Sequence, residues 1–301
     1  MRHVAFFYRD RAEQRAQILR FAREGLAAGD AVLIALPGEQ ARLLGAQLGG
    51  DPGELACADL ADVGRNPARI IPELRGFIDK HAGQPVRVAA EPVWPGRSAA
   101  ETCEGIRHEA LANLAFPEPH VMMMCAYDLA RHAPSVIAAA GRTHPEHLPG
   151  GPSVPLPRAE PWQIPPECDL PLLPPPDSAE GLGYRTDLAP VRRLVESHAR
   201  RTRLATDRVA DLILAASEIA ANTLGHTGAG GTFQVWHDED EILCQAHDQG
   251  WIANPLAGRV RRGPDGRGHG LFLVNHVCDL VEIRTGTDGT TVRMHMRLGP
   301  A

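Results

Sequence analysis

Short apolar runs alternate with segments of helical period over the first half of the chain. Val4–Tyr8 is predicted as a strand. Arg11–Ala27 places Ile18, Leu19, Ala22 and Leu26 on one face, with Gly25 or Gly29 near its end, and is predicted as a helix. Ala31–Leu36 is a continuous apolar strand stopped by Pro37-Gly38, and Gln40–Leu48 a helix stopped by Gly49-Gly50. Ile70–Lys80 reads as helix after Pro67, and Val86–Ala90 as a strand with Glu91 at its carboxyl end. Ser98-x-x-Glu101 is a capping box that opens a helix to about Leu114. Val121–Ala126 is a further buried strand, and Pro134–Ala140 a short last helix. Short apolar strands alternating with helices predict an α/β domain, a mostly parallel sheet with helices on both faces.

The pattern then breaks. Between Pro145 and Pro176 there are twelve prolines in thirty-two residues. Proline lacks an N–H and fixes φ, so this stretch is an extended, stiff connector. Its apolar residues, Val154, Leu156, Trp162, Ile164, Leu172 and Leu173, suggest that parts of it pack on a domain surface. The expected organisation is a domain at 1–148, a proline-rich linker at 149–180 and a second domain at 181–301. In the second domain, helices are expected at Leu188–Thr202 and Thr206–Leu224. Strands follow at Gly231–His237, Glu241–His247, Leu280–Arg284 and Thr290–Leu298, interrupted by a helix over Gly270–Asp279. A helical layer on a mixed sheet is an α+β two-layer sandwich.

Composition narrows the function classes. Hydrophobic content of 44% and charged content of 23% over 301 residues are those of a soluble globular protein of about two domains. A net charge of −6 gives no electrostatic case for nucleic acid or an anionic membrane as partner. No apolar run approaches the ~18 residues of a membrane span, and the amino terminus leads into a strand rather than a signal peptide. Six scattered cysteines without a C-x-x-C pair read as reduced thiols, and the expected compartment is the cytoplasm.

The candidate chemistry lies in the last third. Glu218, Asn222 and His226 stand four apart in an otherwise apolar helix and so share a face. Mg²⁺ takes hard oxygen ligands, which suits the Asn222 amide oxygen, and Glu218 suits orienting a water or taking a proton from an attacking hydroxyl. An amphipathic helix with its polar residues in water fits the same spacing. Asp248-x-Gly250 ends a strand, where an aspartate can accept a hydrogen bond from an adenine amino group, or simply make a turn. Gly266-x-Gly268-x-Gly270 runs into an apolar helix, and glycines let backbone N–H groups approach phosphate oxygens at a helix N-terminus. Arg259, Arg261, Arg262 and Arg267 are candidates for phosphate contact or for a solvated loop. Gly289-Thr290 opens the last strand. No G-x-x-x-x-G-K-[ST] occurs, which excludes a Walker site.

In this order, from about Leu188 to Leu298, the boxes resemble the GHKL ATPase superfamily, and within it the anti-sigma factor serine/threonine kinase branch. The resemblance implies ATP and Mg²⁺ as cofactors, Glu218 as the general base and Asn222 as the Mg²⁺ ligand. It places Asp248, Gly250 and Thr290 at adenine, and Gly266, Arg267, Gly268, Gly270 and Leu271 along the phosphates. It further implies phosphorylation of an antagonist protein, a sigma factor as the second partner, control of transcription by partner switching, and a homodimer. The chain departs from the fuller pattern at Ile252, where a second glycine might stand. His198, on the first helix of the domain, reads as a surface residue rather than a phosphoacceptor. The alternatives are a non-catalytic, ATP- or ligand-gated binding module and a sensor histidine kinase.

The first domain has its own resemblance. Its strings His3-Val-Ala-Phe-Phe-Tyr8, Glu91-Pro-Val-Trp94-Pro-Gly-Arg97, His108-Glu109-Ala-Leu-Ala-Asn113 and Cys125-Ala-Tyr127-Asp128 resemble the MEDS sensory domain over about residues 1–148. The resemblance implies a small-molecule sensor. Glu91, Trp94, Arg97, Glu109, Tyr127 and Asp128 are expected to gather near the carboxyl ends of strands, where open α/β sheets bind ligands. The plainer reading makes the ion pairs structural and Trp94 a core residue. His3, His108, His132 and His144 with Cys125 match no familiar metal-ligand spacing. Met122-Met123-Met124 reads as core filling on a buried strand.

Overall fold

The computed structural model describes residues 1–49, 54–148, 160–261 and 269–299. It divides into two compact units, Met1–Asp169 and Leu170–Ala301.

Among the described residues of the first unit six strands run parallel: β1 (Arg2–Tyr8), β2 (Ala31–Leu36), β3 (Leu55–Asp59), β4 (Val86–Ala90), β5 (Val121–Asp128) and β6 (Glu146–His147). Their order is β3-β2-β4-β5-β1-β6. Side chains alternate across a strand, so each strand feeds both faces. Phe6, Tyr8, Ile34, Leu36, Met124 and Ala126 point to the face covered by α1 (Arg11–Ala28) and α2 (Gln40–Leu48). His3, Cys125 and Tyr127 point the other way, toward α4 (Ala99–Ala115), which packs between α3 (Ile70–Lys80) and α5 (Pro134–Thr143). Local chemistry sets the helix ends. Asp10 caps α1 by accepting from the Glu13 N–H, and Gly29 ends it at φ +78°. The Ser98/Glu101 capping box opens α4 as the sequence predicts.

The described residues of the second unit form five strands: β7 (Glu180–Tyr184), β8 (Gly231–His237), β9 (Glu241–Asp248), β10 (Leu280–Gly286) and β11 (Gly289–Arg297). Their order is β10-β11-β9-β8-β7 and every pairing is antiparallel, so the expected mixed sheet is corrected. One face packs on α6 (Ala189–Ala199), α7 (Thr206–Thr227) and α8 (His269–Val277), with Val195, Leu212, Ile219, Phe233, Cys244 and Met294 in the core. The other face carries a polar ladder in which His295 bridges Glu241 and Glu282.

The described proline-rich segment is shared out between the units. Arg107 Nη1 donates to the Cys168 carbonyl at 3.2 Å and to Asp169 at 2.6 Å within the first. Arg284 Nε donates to the Leu170 carbonyl at 3.1 Å within the second. Among the described residues, no helix is long and apolar enough to cross a membrane.

Candidate functional site

Strand register builds the second unit's cavity. Asp248 on β9 and Thr290 on β11 are cross-strand partners. The Thr290 hydroxyl donates to the Gly250 carbonyl at 2.8 Å, fastening the turn after β9 to β11. Gly289 has φ +108°, and a Cβ there would stand 2.0 Å from the Asp248 carbonyl oxygen, so this approach requires glycine. The Asp248 carboxylate is held from both sides: Oδ1 accepts from the Gly250 N–H at 2.7 Å and Oδ2 from the Thr223 hydroxyl at 2.6 Å. Each oxygen keeps a lone pair for a further donor.

Beside this carboxylate lies a cavity of about 480 Å³, within the range for a small-molecule site. Ile219, Ala246, Leu271 and Val292 give it apolar walls, and Asn222, Asp248 and Thr290 supply polar groups. Its outer side is the segment from Gly250 to Val260, where Gly258 stands at φ +74° and accepts from Asn275 Nδ2 at 3.0 Å. Trp251 is 65% exposed at its rim.

Glu218 and Asn222 occupy successive turns of α7 and meet the first turn of α8. A Cβ on Gly270 would stand 2.8 Å from Glu218 Oε2, and 3.2 and 3.4 Å from the Asn222 amide nitrogen and oxygen. The carboxylate, the carboxamide and the start of α8 therefore converge in a space that only glycine leaves open. His226 is exposed at the cavity edge. Gly266, Arg267 and Gly268, with Arg262, lie outside the described residues. Arg259 is buried and partnered, and Arg261 stacks over Phe272 with its guanidinium 5.8 Å from the ring centre. His198, expected at the surface, is buried on α6 with Nε2 3.2 Å from Glu180. Thr223 was missed by sequence reasoning, because its role is set by the strand its helix crosses.

In the first unit the six expected sensory residues fall in three places. Glu91 is fully buried at the carboxyl end of β4, where Oε1 accepts from the Tyr8 hydroxyl at 2.6 Å and Oε2 from Gln14 Nε2 at 2.8 Å. Arg11 lies 3.5 Å away. Burial pushes the Glu91 carboxyl up, and the Tyr8, Arg11 and Gln14 contacts only partly oppose it. Asp128 Oδ1 accepts from the Ala130 and Arg131 N–H groups and shapes the turn after β5.

Trp94 and Arg97 belong to a separate cavity of about 380 Å³ with Cys103, Arg131 and His132. The Arg97 guanidinium lies 3.4 Å from the Trp94 ring centre and donates to the carbonyls of Pro92, Arg65 and Gly64. It ties its own loop to the one that holds Gly64 and Arg65, which is a structural use of its donors.

Glu109 and Tyr127 sit on the opposite side of the sheet from Glu91's partners. The Tyr127 hydroxyl donates to Glu109 Oε1 at 2.6 Å. His3, Cys125 and His144 surround the other oxygen. Burial opposes charge on Glu109, but the imidazoles of His144, His3 and His108 outweigh it and hold the carboxyl well below the usual range. Burial pushes the His144 imidazole down to about 3, with His3 adding to the shift, so His144 is neutral at pH 7. Burial also pushes the Cys125 thiol up, with Glu109 adding to it.

Residues 2–145 match the family model of the methanogen/methylotroph, DcmR sensory domain, MEDS, and residues 185–296 match that of the histidine kinase-like ATPase domain. No curated protein matches the chain. The chain thus joins a MEDS sensory domain to a histidine-kinase-like ATPase domain. Such an ATPase domain implies ATP binding, usually with Mg²⁺. The residues fit: the Asn222 amide oxygen is a hard ligand and the Glu218 carboxylate can orient a water, both beside Gly270.

Proposed function

We propose that this chain, a MEDS sensory domain joined to a histidine-kinase-like ATPase domain, is an ATP-dependent serine/threonine kinase of the anti-sigma factor type. The observation that carries the reading is the convergence of Glu218, Asn222 and the head of α8 at Gly270, beside the cavity that holds Asp248. In this reading Asp248, oriented by Thr223 and Gly250, accepts from the adenine amino group while Ile219, Ala246, Leu271 and Val292 enclose the ring. Asn222 would hold Mg²⁺, which neutralises phosphate charge when bound. Glu218 would take the proton from a serine or threonine hydroxyl as its oxygen attacks the γ-phosphorus, with ADP leaving. The acceptor is an antagonist protein, a sigma factor is the alternative partner, and the working form is a homodimer. The MEDS domain answers to a small molecule. Together they control transcription by partner switching.

The test is Glu218→Ala with γ-labelled ATP and the antagonist protein. Acid-stable phosphoserine or phosphothreonine should fall by about 10²–10⁴-fold while ATP affinity stays within about threefold. Wild-type protein that binds ATP yet never labels the antagonist would replace this reading with a non-catalytic binding module. Acid-labile label on the chain itself would make it a histidine kinase.

A further inference from the structure

The buried group around Glu109 brings four metal-ligand atoms together. His3, Glu109, Cys125 and His144 are each at most 2% exposed, and one ligand atom from each lies within 4.8 Å of the others. Asn113 Nδ2 faces the carbonyls of Glu109, Ala110, Thr143 and Pro161, which fixes its amide so that Oδ1 faces His3 Nδ1 at 3.1 Å. His3 therefore carries its proton on Nδ1. His144 Nδ1 lies 2.8 Å from the Ala140 carbonyl and must donate as well. With both imidazoles neutral, both Nε2 atoms are acceptors, and both point at the Glu109 carboxylate, itself an acceptor. Among the described residues His144 Nε2 finds no hydrogen-bond partner, and it stands 3.7 Å from Glu109 Oε2. The Cys125 thiol can supply one proton at most. Four buried ligand atoms then face one another with at most one proton among them, an arrangement relieved either by a proton on an imidazole or by a cation held between them.

We propose that His3 Nε2, His144 Nε2, Cys125 Sγ and Glu109 Oε2 bind one Zn²⁺ in the MEDS domain. Four of the six ligand separations are close to those of a tetrahedral set, and all lie within 4.8 Å. His3 Nε2 to Glu109 Oε2 is 3.2 Å, His3 Nε2 to Cys125 Sγ 3.4 Å, and Cys125 Sγ to Glu109 Oε2 3.4 Å. Ligands bonded to zinc at about 2.0–2.3 Å stand about 3.3–3.8 Å apart. Two imidazoles, a thiolate and a carboxylate suit zinc rather than magnesium or calcium. The surrounding contacts match as well: each imidazole gives its far N–H to a carbonyl oxygen, and Tyr127 holds the outer oxygen of Glu109. On binding, the thiol loses its proton to solvent and the carboxylate stays ionised. With four protein ligands the site is closed. It ties β1, α4, β5 and the residue after α5, so it serves the fold of the sensor and does not depend on the kinase reading.

The test uses the full chain without a histidine tag, grown with added zinc and passed through gel filtration. Mass spectrometry should find about one zinc per chain. Chelation should lower the melting temperature, and added Zn²⁺ should restore it. Replacing zinc with Co²⁺ should give tetrahedral visible bands and a sulfur-to-cobalt charge-transfer band, the latter lost in Cys125→Ser. Should that variant not fold, X-ray absorption of the wild-type protein decides, with one sulfur and three nitrogen or oxygen neighbours expected. No zinc and no cobalt bands, or zinc without a sulfur neighbour, overturns the proposal.

Discussion

Replacing Thr223 with valine removes one hydroxyl and preserves the shape of the side chain. That hydroxyl donates to Asp248 Oδ2 at 2.6 Å, and Thr223 is 2% exposed. A hydrogen bond to a charged group contributes about 1.5–3 kcal/mol. The Gly250 N–H still holds Oδ1 at 2.7 Å, so roughly half of the orientation should survive. A loss of about 1–1.5 kcal/mol in adenine binding corresponds to about 5–12-fold weaker affinity for ATP. The remainder falls on stability, as a drop in Tm of about 3–8 °C for this domain. Calorimetry with Mg·ATP and a thermal melt without nucleotide read the two parts separately. A lowered melt with ATP affinity unchanged within about twofold would refute the reasoning, because Thr223 would then hold only the fold and Asp248 would not be the adenine acceptor.

Gly289→Ala should cost about 3 kcal/mol or more, since it sets a Cβ 2.0 Å from the Asp248 carbonyl at φ +108°. A urea melt showing less than about 1 kcal/mol would contradict that close approach. His295 should make stability fall in alkali. Burial lowers its affinity for a proton, but Glu241 and Glu282 more than reverse this and raise its pKa from 6.5 to about 9. The raised value means that the contribution, about 3 kcal/mol, is complete below 6.5 and lost as pH rises through 9. The stability gap between wild type and His295→Gln should therefore close over that window, and a gap constant with pH would count against the buried ladder. Tyr8→Phe should cost about 1.5–3 kcal/mol by stranding the buried Glu91 carboxyl, and Glu91→Gln in the same chain should recover part of it. Full additivity of the two changes would show that they do not interact.

Much of the fold was legible because its signals are local. The Asp10 and Gly29 caps, the Ser98/Glu101 box and the apolar runs of β2 and β5 each act within a few residues. The strands that escaped lack such runs. In β3 only Ala58 is buried, β6 is two residues long, and β7 reads Glu-Gly-Leu-Gly-Tyr at the sheet edge. Pairing with β8 makes β7 a strand, and nothing within it does. The same contrast holds for the sites. Helical spacing puts Glu218 and Asn222 on one face, Asp248-x-Gly250 reads as a turn, and Thr290, at the opening of the last strand, becomes a candidate through the family resemblance. Thr223 owes its role to a partner 25 residues away. Alternation along β1 and β5 turns His3, Cys125 and Tyr127 toward the face that α4 and Glu109 cover, away from Tyr8 and Glu91, and there His3 meets His144 at a ring separation of 3.9 Å. Sequence spacing holds no trace of that meeting, so the histidines grouped with Cys125 match no ligand pattern.

The most direct test of the account is calorimetry of the full chain with ATP in the presence and absence of Mg²⁺. The account predicts one saturable site per chain, tightened by Mg²⁺. Asn222→Ala should abolish the metal effect, and Asp248→Ala should weaken adenine nucleotides more than guanine nucleotides. No uptake of ATP, or uptake indifferent to both substitutions, would contradict it.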